Sequence, residues 1–138
     1  MKVVVPDASV LLKWVVPTAE EGRASAIELR EAAIGGEIAL VVPPLWLYEV
    51  GNTLARRFPK HAPQLLDALV AFGLVEKAAT RAWREAALTL TRDYGVTFYD
   101  AAYHALALVE RGVFVTADSA YVETARGAGA VLLLGTSP

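Results

Sequence analysis

The sequence contains no cysteine, which excludes disulfide bonds, thiolate metal sites and cysteine nucleophiles. The absence of cysteine is typical of proteins in a reducing compartment, and we expect a cytoplasmic location. The glycine-rich patterns GxxxxGK[ST] and GxGxxG are missing too, so nothing supports a loop that cradles a nucleotide.

Long apolar segments are also lacking. The longest uncharged apolar run, residues 38–48, is too short to span a bilayer and contains two prolines. The N-terminus has no signal-peptide pattern, because Lys2 is followed within a few residues by Asp7. We therefore expect a soluble protein with no membrane partner. Its 138 residues, of which 55% are hydrophobic, predict a single domain over residues 1–138.

Basic residues are not in excess. The chain has 13 lysines and arginines against 15 aspartates and glutamates, which gives a net charge of −2. Nucleic-acid-binding proteins are usually basic, so this balance counts mildly against such a partner. It counts less if some of the acids hold divalent cations, because a bound metal ion reverses the sign of the local field.

Short apolar runs alternate with helical patterns along the whole chain. Thr18 and Glu21 have the T-x-x-E spacing of a capping box for the second helix. Apolar strands without alternation, each separated from the next by a helix, predict an α/β fold in three layers, with a central parallel five-stranded sheet flanked by helices. The predicted strands are 2–5, 37–42, 74–78, 113–116 and 130–134, and the predicted helices are 9–16, 18–34, 44–58, 63–72, 80–94, 97–112 and 119–127.

Two aspartates directly follow predicted strands. Asp7 comes after the first strand and Asp118 lies two residues past the fourth. Each suits a helix N-cap. In an open parallel sheet, however, ligands bind at the carboxyl ends of the strands, and the fold brings such residues to one edge. The cap and a ligand-binding role both remain open for each residue.

Two more acids lie in apolar helices. Glu49 has Trp46, Leu47, Tyr48 and Val50 as neighbours. Its carboxylate either lies at the surface of a mostly buried helix or loses hydration that a cation or donors must compensate. Asn52 shares its helix face. Asp100 opens a helix of alanine, leucine and aromatic residues, where the helix dipole alone would favour it. Clustered carboxylates are hard ligands that suit Mg²⁺ or Mn²⁺, and an ion between them would favour hydrolysis of a phosphodiester.

Other chemistries fit the sequence less well. His61 lies between prolines in a predicted loop. His104, four residues after Asp100, could support the site from behind, although an ordinary half-buried histidine is the more usual interpretation. A phosphohydrolase or phosphoacceptor usually has a second acid two residues after its nucleophilic aspartate, but position 9 is serine, and no lysine follows Lys77. A catalytically silent binding module is the main alternative to an enzyme.

Four segments together resemble the PIN domain, and most closely its VapC-type toxins. They are Asp7-Ala8-Ser9 after a strand, LWLYEVGNTL around Glu49, TFYDAAYHALAL around Asp100 and VTADSAY around Asp118. The resemblance implies a metal-dependent endoribonuclease that acts on RNA, uses Mg²⁺ or Mn²⁺, forms a homodimer and is silenced by a cognate VapB-type antitoxin. It also implies an acidic quartet of Asp7, Glu49, Asp100 and Asp118, supported by Ser9, Asn52 and Thr116. A further acid found in some relatives is missing here, since Ser119-Ala120-Tyr121 stands in its place.

The residues that contact RNA are not identified by the sequence. Phosphate contacts could come from several basic residues, although solvated helix faces are the ordinary interpretation of each. Aromatic residues could stack on bases, but core packing is the more usual role of most of them. The aromatic candidates are Trp14, Trp46, Tyr48, Phe98, Tyr99 and Tyr103. The basic candidates are Lys13, Arg56, Arg57, Lys60, Arg81, Arg84 and Arg92.

Overall fold

The computed structural model describes residues 1–16, 18 and 21–136. None of the described helices is long and apolar enough to cross a membrane. The described elements, in chain order, are β1 (Lys2–Pro6), α1 (Ala8–Val15), α2 (Arg23–Ile34), β2 (Ile38–Val42), α3 (Leu45–Arg57), α4 (Ala62–Phe72), β3 (Val75–Glu76), α5 (Arg81–Tyr94), α6 (Phe98–Val109), β4 (Val113–Thr116), α7 (Ser119–Ala125), a 3₁₀ turn (Arg126–Ala128) and β5 (Val131–Leu133).

The five strands form one parallel sheet in the order β3-β2-β1-β4-β5. β1 is the central strand: Val4 lies opposite Leu40 of β2 and Val113 of β4. The first and second halves of the chain thus meet at β1 and β4. The α/β class and the parallel five-stranded sheet predicted from the sequence are confirmed.

Helices cover both faces of the sheet. In the described chain, α1 and α6 each pack against both β1 and β4 but do not pack against each other, which places them on opposite faces of the sheet. Leu11 of α1 is fully buried in the main core. On the other side, Ala101 and Ala105 of α6 are fully buried and pack in one cluster with Ala87 of α5. These small side chains let α5 and α6 approach closely, which fixes the helix that carries Asp100.

The turn into β4 requires a glycine. A Cβ at Gly112 would meet the backbone carbonyl of Val3 on the neighbouring strand. Arg111, just before it, has a positive φ of 56°. The chain therefore enters β4 in close backbone contact with β1, and this contact helps to set the pairing of the two strands at the centre of the sheet.

The predicted capping box is wrong. α2 begins at Arg23, and its N-cap is Gly22, in the left-handed region at φ 74°, with no side-chain cap. Thr18 lies in a turn, four residues before that N-cap, so its hydroxyl is not in position to accept from the first helical N–H groups. Other predicted bounds differ by a few residues: β3 has only two, and the last helix ends in the 3₁₀ turn.

Candidate active site

Two aspartates follow adjacent strands and cap the helices that come next. Asp7, after β1, accepts a hydrogen bond at Oδ1 from the Val10 N–H at 3.3 Å. Asp118, after β4, accepts at Oδ1 from the Tyr121 N–H at 3.1 Å. Because β1 and β4 are paired in parallel, both carboxylates lie at the same edge of the sheet and line one cavity. The cap role and the shared position therefore coexist.

The two helix acids reach the same cavity. Glu49 comes from α3 and is half-buried, whereas Asp100 comes from the first turn of α6 and is exposed. The cavity has a volume of about 170 Å³. We call it the acid cavity, and its lining residues are Asp7, Ala8, Ser9, Glu49, Asp100, Tyr103, Phe114, Thr116, Asp118 and Tyr121.

Two hydroxyls hold the carboxylate of Asp7. Ser9 Oγ donates to Asp7 Oδ1 at 2.5 Å, and Thr116 Oγ1 donates to Asp7 Oδ2 at 2.6 Å. Both hydroxyls also accept from the backbone that follows β4: Ser9 from the Ala117 N–H at 3.0 Å and Thr116 from the Asp118 N–H at 3.1 Å. The network fixes Asp7 and ties the ends of β1 and β4 together.

Tyr103 was considered from the sequence only for stacking on bases, and its contact with Glu49 was missed. Its hydroxyl donates to Glu49 Oε1 at 2.5 Å, which joins α6 to α3 across the cavity. The ring is 3% exposed and lies against Phe114, with ring centroids 6.0 Å apart. Tyr103 follows Asp100 by three residues, so the helical spacing that placed Asp100 at a site also placed Tyr103 there. That spacing was the available signal.

Tyr121 is the second site residue missed, and it depends on His104. His104 is fully buried, not half-buried as the sequence suggested. Its Nε2 lies 2.7 Å from the carbonyl oxygen of Gly129, which can only accept, so Nε2 carries the proton. A neutral His104 then accepts at Nδ1 from the Tyr121 hydroxyl, 2.8 Å away. Burial lowers the pKa of His104, which favours this neutral form.

Burial shifts the pKa values of Asp7 and Glu49, the two acids of the cavity that are not exposed. Burial raises the pKa of Asp7, although the hydrogen bonds from Ser9 and Thr116 oppose the shift. Burial also raises the pKa of Glu49; the bond from Tyr103 opposes this, and the charges of Asp7 and Asp100 add to it. A cation in the cavity would favour the ionised form of both carboxyls.

The side chains around the acid cavity offer acceptors and no free hydroxyl donor. The Ser9 and Thr116 protons go to Asp7, the Tyr103 proton to Glu49, and that of Tyr121 to His104. A complementary ligand must therefore bring positive charge and donors of its own. A hydrated divalent cation has both properties, and carboxylate oxygens are the ligands that Mg²⁺ and Mn²⁺ prefer.

The spacing of the acids limits how such an ion could be held. Within residues 1–16, 18 and 21–136, no three acidic or histidine side chains lie close enough to hold one metal ion. Mg²⁺ usually keeps several water ligands and binds through one or two carboxylates together with substrate phosphates. The residues thus fit a hydrated ion and not an ion enclosed by protein.

Two residues considered from the sequence lie away from this cavity. Asn52 of α3 is exposed and does not line it, although it follows Glu49 by three residues. His61, the N-cap of α4, is also exposed and makes no side-chain cap bond. The structure therefore brings together Asp7, Ser9, Glu49, Asp100, Thr116 and Asp118, but not Asn52.

The family model of the PIN domain matches residues 4–127. No curated protein is similar in sequence. A toxin–antitoxin complex from Klebsiella pneumoniae is 17% identical, with 94% of this chain and 95% of that chain covered and a TM-score of 0.64.

Two further solved structures have the same fold. VapBC2 from Rickettsia felis, bound to a DNA fragment from its promoter, is 10% identical, with 95% of this chain and 96% of that chain covered and a TM-score of 0.68. Mycobacterium tuberculosis VapC20, a toxin that cleaves the sarcin–ricin loop, is 15% identical, with 93% and 96% covered and a TM-score of 0.67. At these identities the likeness establishes the fold.

Proposed function

The chain belongs to the PIN domain family, and on that premise we propose that it is a metal-dependent endoribonuclease, the toxin of a toxin–antitoxin pair. The observation that carries the proposal is the acid cavity, where four carboxylates from β1, α3, α6 and β4 converge and every lining hydroxyl is already used as a donor within the protein. We take residues 1–138 to form one nuclease domain.

The acids act together in this proposal. Asp7, Asp100 and Asp118 would hold a hydrated Mg²⁺ or Mn²⁺, one or two of them directly and the rest through its water ligands, and Glu49 would complete the site. When bound, the ion would activate water and stabilise the negative charge that develops on the phosphate. Ser9 and Thr116 keep both oxygens of Asp7 in place. Because these bonds fix Asp7 before any ion arrives, little rearrangement of this ligand is needed on binding.

Glu49 is the residue best placed to accept a proton from the attacking water. Its Oε1 is held by Tyr103, which leaves Oε2 available to the cavity. Burial and the neighbouring charges of Asp7 and Asp100 raise its pKa, and a carboxylate with a raised pKa is a stronger base. Tyr103 acts as a positioning residue, since its hydroxyl is used in the bond that orients Glu49.

The biological setting is proposed from the relatives. The Klebsiella complex and VapBC2 are toxin–antitoxin assemblies, and VapC20 is a toxin that cleaves RNA of the sarcin–ricin loop. We propose that this chain acts in the cytoplasm on RNA, assembles as a homodimer and is inhibited by a cognate VapB-type antitoxin.

A silent binding module is the second candidate. It is favoured by one observation, that no three described acids or histidines lie close enough to enclose an ion. Calorimetric titration with Mn²⁺ separates the two candidates. Saturable binding that is lost in Asp7→Asn supports the nuclease, and absence of binding to the wild-type chain supports the silent module.

The direct test is RNA cleavage with and without Mg²⁺ or Mn²⁺. Asp100→Asn preserves the shape of the side chain and removes its charge, so we expect cleavage to be lost. Asp93→Asn is the matched control, because Asp93 is an aspartate paired with Arg92 on the surface of α5. The proposal is wrong if Asp100→Asn cleaves as fast as wild type, or if chelation of divalent ions leaves the rate unchanged.

A further inference from the structure

A second, larger cavity adjoins the acid cavity. It has a volume of about 530 Å³ and shares Ala8, Ser9 and Glu49 with the acid cavity, so the two lie side by side. We call it the basic groove. Its lining residues are Ala8, Ser9, Leu12, Lys13, Val16, Thr18, Glu49, Thr53, Arg57 and Phe58.

Helical spacing builds the two walls of this groove. Ser9 and Lys13 are four residues apart on α1, and Glu49, Thr53 and Arg57 follow one another at four-residue intervals on α3. Residues at this spacing share one helix face. At a rise of about 1.5 Å per residue, Lys13 lies about 6 Å along α1 from Ser9, and Arg57 about 12 Å along α3 from Glu49. Each wall thus runs from the acid cavity to a basic residue.

The charge of the groove is opposite to that of the acid cavity. Lys13 and Arg57 are its two cations, one on each wall, and its one described acid is Glu49, at the shared end. Neither cation takes part in an ion pair with another residue of the described ranges. The Arg57 guanidinium lies 5.6 Å from the centroid of the Phe58 ring, which steadies this long side chain.

We propose that the basic groove binds the backbone of single-stranded RNA beside the bond to be cleaved, with Lys13 and Arg57 contacting phosphates. This inference rests on the proposed nuclease function. A polyanion is repelled by four clustered carboxylates, so its binding needs a neighbouring region of positive charge. Lysine and arginine on two walls supply that charge, and Thr18 and Thr53 add hydroxyls of the kind that contact phosphate oxygens.

The salt dependence of RNA binding measures these contacts. A fluorescent single-stranded polyuridine oligonucleotide is titrated with the Asp100→Asn chain, which should bind without cleavage, and KCl is varied at constant Mg²⁺. Each phosphate contact to a single strand contributes about 0.7 to the slope of log K against log salt. We expect the added change Lys13→Gln with Arg57→Gln to reduce the slope by about 1.4.

Arg56→Gln with Lys60→Gln is the matched control. Both residues are exposed near the same end of α3, outside the groove, and the pair removes the same charge. We expect the slope of the control to stay at the parent value. In the otherwise wild-type chain, the groove variant should raise KM for RNA cleavage with little change in kcat, since it loses ground-state binding of the substrate.

The outcomes separate this inference from the function on which it rests. If groove and control variants have the same slope while the wild-type chain cleaves RNA, the groove inference is overturned and the nuclease stands. If the wild-type chain neither binds nor cleaves RNA, both fail. If the groove variant keeps the parent slope but no longer binds a purified antitoxin, the groove is a protein-binding surface, and our inference is again overturned.

Discussion

Replacing Thr116 by valine tests whether buried hydroxyls hold a charged Asp7. Thr116 is fully buried; its hydroxyl donates to Asp7 at 2.6 Å and accepts from the Asp118 N–H at 3.1 Å. Valine keeps the shape and removes both bonds. A hydrogen bond to a charged group contributes about 1.5–3 kcal/mol and a neutral one about 0.5–1.5 kcal/mol. We therefore expect the free energy of unfolding at neutral pH to fall by about 2–4.5 kcal/mol.

Urea unfolding followed by tryptophan fluorescence measures this loss, since the chain has three tryptophans. Thr116→Ser is the matched control, because it keeps the hydroxyl and removes one methyl group. Its cost should be about 1 kcal/mol, from the lost apolar contact alone. If valine costs no more than serine, the hydroxyl does not stabilise the carboxylate and the reasoning is refuted.

The pH dependence of the Thr116→Val effect has a definite sign. Burial raises the folded-state pKa of Asp7, while the bond from Thr116 lowers it by favouring the ionised form. A group with a raised folded pKa contributes stability at low pH that is lost as pH rises through that pKa. As pH rises, the free energy of unfolding of the variant should therefore fall more than that of wild type. The difference in this free energy between the two proteins should shrink as pH falls through the folded-state pKa of Asp7. A difference that stays constant over this range also refutes the reasoning.

Three other substitutions test the surroundings of the site. Asp7→Asn removes a charge that burial disfavours, so the metal-free variant should have a higher Tm than wild type at neutral pH. This difference in Tm should disappear in acid, where Asp7 of the wild type is protonated. A lower Tm of the variant at neutral pH would contradict the prediction. Tyr103→Phe removes the bond that lowers the pKa of Glu49, so the acid limb of the pH profile for RNA cleavage should move to higher pH; an unmoved limb means Tyr103 does not tune this group. Gly112→Ala places a Cβ against the carbonyl of Val3 and should lower the free energy of unfolding, measured with urea, by about 1–3 kcal/mol. An unchanged urea midpoint would mean that the turn can move to accommodate the methyl group.

The sheet was predictable because its signals are local. Apolar runs between helical patterns mark buried parallel strands, and all five appear close to their predicted positions. The resemblance to the PIN domain is confirmed by the family model. The ends of elements were less predictable. Thr18 and Glu21 have the right spacing for a capping box, but the N-cap of α2 is Gly22, which follows both of them in the chain.

The acid cavity was predictable only in outline. Residues that follow parallel strands must meet at one edge, which places Asp7 and Asp118 by topology alone. Sheet topology does not determine which residues of a helix face a cavity. The rotation of α3 about its own axis decides that Glu49 lines the acid cavity while Asn52 is exposed to solvent. The direction of the hydroxyl protons, including that of Tyr121 towards His104, depends on partners far apart in sequence and cannot be read from local pattern.

The bond between Thr116 and Asp7 joins residues 109 positions apart, so the site can form only late in the synthesis of the chain. Asp7 is synthesised early, and its partners on and after β4 emerge from the ribosome much later. At about 5–20 residues per second, that interval lasts about 5–20 s. Until then the first acid has no hydroxyl from β4 beside it and no Asp118 as a neighbour. A nuclease built on this topology stays unassembled through most of its own synthesis.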